Sequence, residues 1–206
     1  MKHLFLTSSV GFVAHDIARR IETKGLKLAF ILTATEVEEG DLEWLRRDRH
    51  SLVDAGFELT DYTFTGKTKE EVENFLKDFD GIYMSGGNTF WLLSKIQESE
   101  CTDVIKDFVE SGKLYIGTSA GSIIAGPDIY PTRNLIKFEE APKLDDYSGF
   151  GFVDFMIYPH WGSKDFEIKQ AGERMKNSWS ENYPIILLAD NSYIEVKDVS
   201  YRIFKV

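Results

Sequence analysis

Short, unbroken apolar runs alternate with amphipathic stretches along the first two thirds of the chain. Leu4-Phe5-Leu6, Leu28-Ala29-Phe30-Ile31-Leu32, Gly81-Ile82-Tyr83-Met84 and Leu114-Tyr115-Ile116 read as strands buried on both faces. Between them lie helical periodicities. Thr68-Lys69-Glu70-Glu71 is a capping box, and Val72, Phe75, Leu76 and Phe79 then share one face. Val104, Ile105, Phe108 and Val109 form a second stripe, which stops at Gly112. A third helix is predicted from Asp41 to Ala55, ending at Gly56. The last third is richer in strand patterns, at Phe152 to Tyr158, Ile185 to Leu188, Tyr193 to Val196 and Tyr201 to Phe204, with a helix expected over Ser163 to Asn177. The final two strands read as an antiparallel pair.

Strand–helix alternation of this kind predicts an α/β fold with three layers, in which helices cover both faces of a mostly parallel sheet. In such sheets ligands bind beyond the carboxyl ends of the strands. Every candidate residue can therefore be tested by asking whether it stands just after a strand.

At 206 residues and 43% hydrophobic, the chain suits a single domain spanning residues 1–206, and no repeat or low-complexity linker divides it. The net charge of −10 argues against nucleic acid and anionic membranes as partners. No apolar run approaches the roughly 20 residues of a membrane span, and the N-terminal run is too short for a signal peptide, so a cytoplasmic location is expected. The single cysteine, Cys101, excludes an intramolecular disulfide and reads as a partly buried small residue rather than a reactive thiol.

Gly117-Thr118-Ser119-Ala120-Gly121 fits the Gly-x-Ser-x-Gly pattern of a sharp strand-to-helix turn that exposes a serine hydroxyl. It follows a predicted strand, and Ser122-Ile123-Ile124-Ala125 can continue as a helix. Gly86-Gly87-Asn88-Thr89-Phe90 also follows a strand. Paired glycines let backbone N–H groups approach a ligand, so the N–H groups of Gly87 and Ala120 are candidate donors to an oxyanion. Asn88 is a candidate at the same site, and also a candidate cap for the next helix. No Lys-Ser/Thr follows, so this is not a Walker loop.

A nucleophilic serine needs a base. Among the four histidines, His3 precedes the first strand, His15 falls in the first helix pattern, and His50 sits in the charged stretch Arg46-Arg47-Asp48-Arg49-His50, expected at the surface. His160 follows a strand and passes the test. An orienting acid can come from Asp190, also just after a strand, although Asp190-Asn191-Ser192 is good turn chemistry in its own right. Glu195, Asp128 and Asp154 are less well placed alternatives.

Together, Gly86-Gly87-Asn88-Thr89-Phe90, Leu114 to Gly121, Pro159-His160 and the turn at Asp190 resemble the peptidase E family of serine dipeptidases, in order and spacing and over nearly the whole chain. The resemblance implies a fold akin to the class I glutamine amidotransferases, with Ser119 as nucleophile, His160 as base, and Gly87 and Ala120 as oxyanion donors. The family's third member is a glutamate where this chain has Asp190, one methylene shorter, so the site is either a triad with an altered arm or a Ser-His dyad. Family members that cleave after an N-terminal aspartate hold its carboxylate with an arginine after the histidine. Here Ser163 to Gln170 contains no arginine; Arg174 lies further on, and Lys169 lacks the bidentate fork. The expectation is a serine-type peptidase acting on a small peptide, without cofactor or metal, as a monomer or small homo-oligomer. An esterase or amidase on small metabolites, and a catalytically silent binding protein of the same fold, are the alternatives.

Overall fold

A computed structural model describes residues 1–132, 138–141, 143–163 and 182–206. The element order is β1 (His3–Thr7), α1 (Val10–Ala18), β2 (Lys27–Ile31), α2 (Glu43–Asp54), β3 (Glu58–Tyr62), α3 (Lys69–Leu76), β4 (Gly81–Met84), α4 (Thr89–Glu98), α5 (Thr102–Glu110), β5 (Leu114–Thr118), α6 (Ala120–Ile123), β6 (Met156–Tyr158), β7 (Ile185–Leu187), β8 (Ser192–Lys197) and β9 (Ser200–Lys205). A seven-stranded sheet has the order β3-β2-β4-β5-β1-β8-β9. Its first five strands are parallel, whereas β8 runs antiparallel to β1, and β9 to β8.

The unbroken apolar runs are explained by a helix layer on each face. Phe5, Leu28, Phe30, Tyr83 and Ile116 point into a core under α1 and α2, with Val13, Ile17 and Leu52. Their neighbours Leu4, Leu6, Ile31, Ile82 and Tyr115 point the other way, into a larger core with Val72, Leu93, Ile105 and Ile123 from α3 to α6. Successive strand residues alternate faces, and both faces are dry, so no polar position interrupts the run. The αβα fold expected from the pattern is the fold found.

Local signals act as read. The Glu71 N–H donates to Thr68 Oγ1 (3.3 Å), and the Thr68 N–H donates to Glu71 Oε2 (2.9 Å), closing the box that starts α3. Gly56 and Gly112, at φ +99° and +98°, take the left-handed conformation that ends α2 and α5. Cys101 is fully buried at the start of α5, where burial pushes its thiol up to about 11.

Three details differ from the pattern. Strand β3 carries Glu58, Thr60 and Asp61, too polar to stand out, which an edge strand tolerates. The apolar run from Phe152 becomes regular only at Met156. Phe152 and Phe155 are buried without strand pairing to each side, and the Phe152 N–H donates to the Ala125 carbonyl (2.9 Å). Strands β6 and β7 pair with each other in a separate two-stranded parallel sheet. The helix expected over Ser163 to Asn177 lies, after its first residue, outside the described residues.

Candidate active site

Two strand pairs deliver the site. In the main sheet β1 and β5 are in register with Thr7 opposite Thr118, so the next residue of each chain, Ser8 and Ser119, leaves the sheet at the same edge. In the small sheet Tyr158 is opposite Leu187, so Pro159-His160 and Leu188-Ala189-Asp190 leave side by side. The turn at Ser119 has φ 48° and ψ −105°, a conformation L-residues rarely adopt. It is held by a bond from the Ser119 N–H to the Thr7 carbonyl (3.0 Å), and by Ser122 Oγ bonding the carbonyls of Thr7 (2.7 Å) and Gly117 (2.8 Å). A Cβ on Gly117 would stand 2.5 Å from the Gly121 carbonyl oxygen, so glycine is required for the chain to fold back this tightly.

The side chains form a continuous row. His160 Nε2 is 3.0 Å from Ser119 Oγ, and His160 Nδ1 is 2.7 Å from Asp190 Oδ1. A carboxylate beside Nδ1 places the ring proton there, which leaves Nε2 as the acceptor facing the serine hydroxyl. The Asp190 carboxyl is held below its ordinary value, chiefly by the bond from His160, against the opposing effect of burial and with help from Ser8 and the charge of Arg47. It is therefore ionised at neutral pH.

Gly87 has φ +118°, and a Cβ there would lie 2.3 Å from the Ala34 carbonyl oxygen. The backbone N–H groups of Gly87 and Ala120 have no acceptor among the described residues. Asn88 is buried, and its Oδ1 accepts from the Phe90 and Trp91 N–H groups (both 3.0 Å), so its side chain caps α4 and fixes the glycine loop.

The other candidates lie elsewhere. His3 begins β1, at the opposite end of the sheet, with its Nε2 3.0 Å from Glu195. That contact also removes Glu195, in β8, as a partner for His160. His15 and Asp154 are exposed; Asp128 accepts from the Tyr130 N–H; His50 is exposed and pairs with Asp54. Among the described residues no group of three or more His, Cys, Asp or Glu side chains is clustered to hold a metal ion. Likewise, no helix among them is long and apolar enough to cross a membrane.

Sequence reasoning missed three contributors. Ser8 contacts both His160 and Asp190. It stands one residue after β1, so the same strand-end test would have found it. Trp44 and Arg47 of α2 line the cleft, which measures about 770 Å³. Arg47 sits within the stretch that reads as a solvated charged surface, and its neighbour Asp48 is fully buried, accepting from the Tyr83 hydroxyl and the Gly11 N–H (both 2.9 Å).

Burial pushes the Asp48 carboxyl up to about 6, partly offset by those two bonds and by Arg47. The folded chain therefore binds this proton more tightly than the unfolded chain, so the contribution of Asp48 to stability is fully present on the acid side and is lost as pH rises towards and through about 6. The effect is on the order of 2–3 kcal/mol. Asp48→Asn is expected to flatten the dependence of melting temperature on pH in this window. An unchanged slope in thermal melts would show that Asp48 does not titrate there.

A hydroxyl, an imidazole and a carboxylate in a row at the carboxyl edge of a mostly parallel sheet are the working parts of a serine hydrolase, and comparison with known proteins narrows the class to the serine-type peptidases. The chain belongs to peptidase family S51, whose sequence profile matches residues 4–204. It is 31% identical over 188 residues to an uncharacterized peptidase of Pasteurella multocida, covering 90% of this chain and 88% of that protein. With the peptidase E of Streptomyces coelicolor it shares 26% identity over 208 residues, covering 96% and 81% of the two chains. The crystal structure of a protein assigned as a peptidase E from Listeria monocytogenes superposes with a TM-score of 0.91 at 27% identity, covering 100% of this chain and 99% of the other. The resemblance read from the motifs is thus the family found.

Proposed function

We propose that the protein hydrolyses dipeptides or other short peptides through an acyl-enzyme on Ser119. The observation that carries this reading is the unbroken row from Ser119 Oγ through His160 to Asp190, at 3.0 and 2.7 Å. His160 Nε2 takes the Ser119 proton as Oγ attacks the scissile carbonyl. The Gly87 and Ala120 N–H groups receive the developing oxyanion. The same imidazole then gives its proton to the leaving amine, and water, activated in turn by His160, releases the acyl group. Asp190 holds the ring and stabilises the imidazolium.

Charges in the cleft support a substrate with two charged ends. Arg47 is the one Lys or Arg among the described lining residues, while Glu38, Glu39 and Glu140 line it too. Arg47 makes no ion pair within 4 Å among the described residues. Its guanidinium lies 4.5 Å from the Phe12 ring and 3.5 Å from Ser9 Oγ, which leaves N–H donors for a ligand. Its charge acts on Asp190, which places it towards the His160–Asp190 end of the row; because His160 gives its proton to the leaving amine, we assign that end to the leaving residue. The C-terminal carboxylate of a dipeptide leads there, and the N-terminal ammonium falls towards the glutamates.

A hydrolysis panel tests this reading. Free dipeptides should be cleaved, and capping their C-termini as amides should lower kcat/KM. Arg47→Leu should reduce kcat/KM on free dipeptides by about 10- to 100-fold, the worth of a hydrogen bond to a charged group. The same variant should leave the amides nearly unaffected. Robust cleavage of simple acyl esters with no peptide turnover would overturn the peptide reading in favour of an esterase.

A further inference from the structure

We propose that Ser8 is a positioning residue of the catalytic row, its hydroxyl joining the Asp190 carboxylate to the His160 backbone so that the short aspartate arm reaches the imidazole. The inference rests on the reading of Ser119, His160 and Asp190 as the reacting groups.

The hydrogen bonds define a direction. The His160 backbone N–H donates to Ser8 Oγ (2.7 Å), so that oxygen is an acceptor, and the hydroxyl proton is free for Asp190 Oδ1, also at 2.7 Å. Asp190 Oδ1 therefore receives two donors, Ser8 Oγ–H and His160 Nδ1–H. A carboxylate held by one donor can swing about its terminal torsion; two donors from different directions stop that swing. The second bond matters more for aspartate than for glutamate, because the shorter side chain has less freedom to recover a lost alignment.

His160 needs support of its own. Its φ of +61° is a left-handed conformation that costs a non-glycine residue energy and persists only where the surroundings enforce it. The bond from its N–H to Ser8 is part of that enforcement, together with the Trp161 N–H to the Leu188 carbonyl (3.1 Å) and the Ser163 N–H to the His160 carbonyl (3.1 Å). Ser8 is fully buried and in register beside Ser119, since Thr7 pairs with Thr118. One sheet edge thus presents both the nucleophile and the group that aims its base. Helix capping does not account for this hydroxyl: the N-cap of α1 is Ser9, and Ser8 Oγ makes its contacts with His160 and Asp190.

The test is a double-mutant cycle on the full chain with the best dipeptide. Ser8→Ala is expected to lower kcat by about 10- to 100-fold with KM changed less than about threefold, and to have less than about a twofold effect when Asp190→Ala is already present. Equal losses in both backgrounds, or full kcat in Ser8→Ala, would overturn the proposal. Should Ser8→Ala lose its cooperative melt, near-isosteric Ser8→Cys decides. Its weak donor should still cost about tenfold or more in kcat in a folded protein, and full activity would refute the role. Ser119→Ala in parallel separates the two readings. If that variant keeps activity, the reacting row is misassigned; if it is dead while Ser8→Ala and Ser8→Cys are fully active, only the role of Ser8 fails.

Discussion

Ser119→Ala should lower kcat on the best dipeptide by on the order of 10⁵- to 10⁶-fold, to the level left by binding and the oxyanion donors alone. The alanine variant loses Oγ, the one atom that stands 3.0 Å from His160 Nε2. It keeps the turn, because φ 48° is as uncomfortable for alanine as for serine, and because that turn is held by the Ser119 N–H to the Thr7 carbonyl and by Ser122. The melting temperature should accordingly stay within a few degrees of the parent. Labelling by a fluorophosphonate, which requires the serine oxygen and its base, should disappear in the same variant. Retention of full hydrolysis by a folded Ser119→Ala protein would mean that the nucleophile lies elsewhere.

Asp190→Asn carries the second largest effect, about 10⁴-fold in kcat if the row works as a triad. An asparagine amide can present N–H to Nδ1, which moves the ring proton to Nε2. That nitrogen then faces Ser119 as a donor and cannot take its proton. Asp190→Ala, which brings no N–H to Nδ1, separates a triad from a Ser-His dyad: a large loss marks Asp190 as the orienting acid, and a small one a dyad. The carboxyl of Asp190 is held below its ordinary range by the bond from His160. The parent enzyme therefore gains nothing from Asn on the acid side, and the loss should be seen across the whole pH range of activity. Steady-state rates at several pH values, with the melting temperature as a check on folding, make the distinction.

Much of this was legible because the chain's strands are buried on both faces. Leu4 to Leu6 and Gly81 to Met84 needed no polar residue, so their boundaries were sharp and the next residues could be ranked by position. Ser119, His160 and Asp190 all fell out of that ranking. What stayed hidden came from elements whose pattern is weak or misleading. Strand β3 is half polar because it is an edge. The Phe152 run is apolar because it fills the core beside Tyr115, its ring centroid 5.5 Å away, without being a strand until Met156. Arg47 and Asp48 sit in a run of charges that normally faces water. One turn of α2 instead carries a buried carboxylate against Tyr83 and points an arginine into the cleft. No single-chain periodicity marks such a position, since the reason for it lies on β4 and α1.

The pairing of β1 with both β5 and β8 has a consequence for how the molecule comes into being. As the chain leaves the ribosome, Ser8 is made first and Ser119 well after it, yet β1 lacks one neighbour until Lys197 has emerged to pair with His3. His160 and Asp190 arrive in the same late stretch, on the separate β6–β7 pair. On the proposed reading of Ser119 and His160, the reacting row cannot be assembled until the strands that carry His160 and Asp190 have been made. Contacts spanning nearly the full length of the chain also make the closing of the sheet slow relative to the helices already formed. On that reading, hydrolysis would await those last strands, through the interval in which unfolded peptide is nearest to hand.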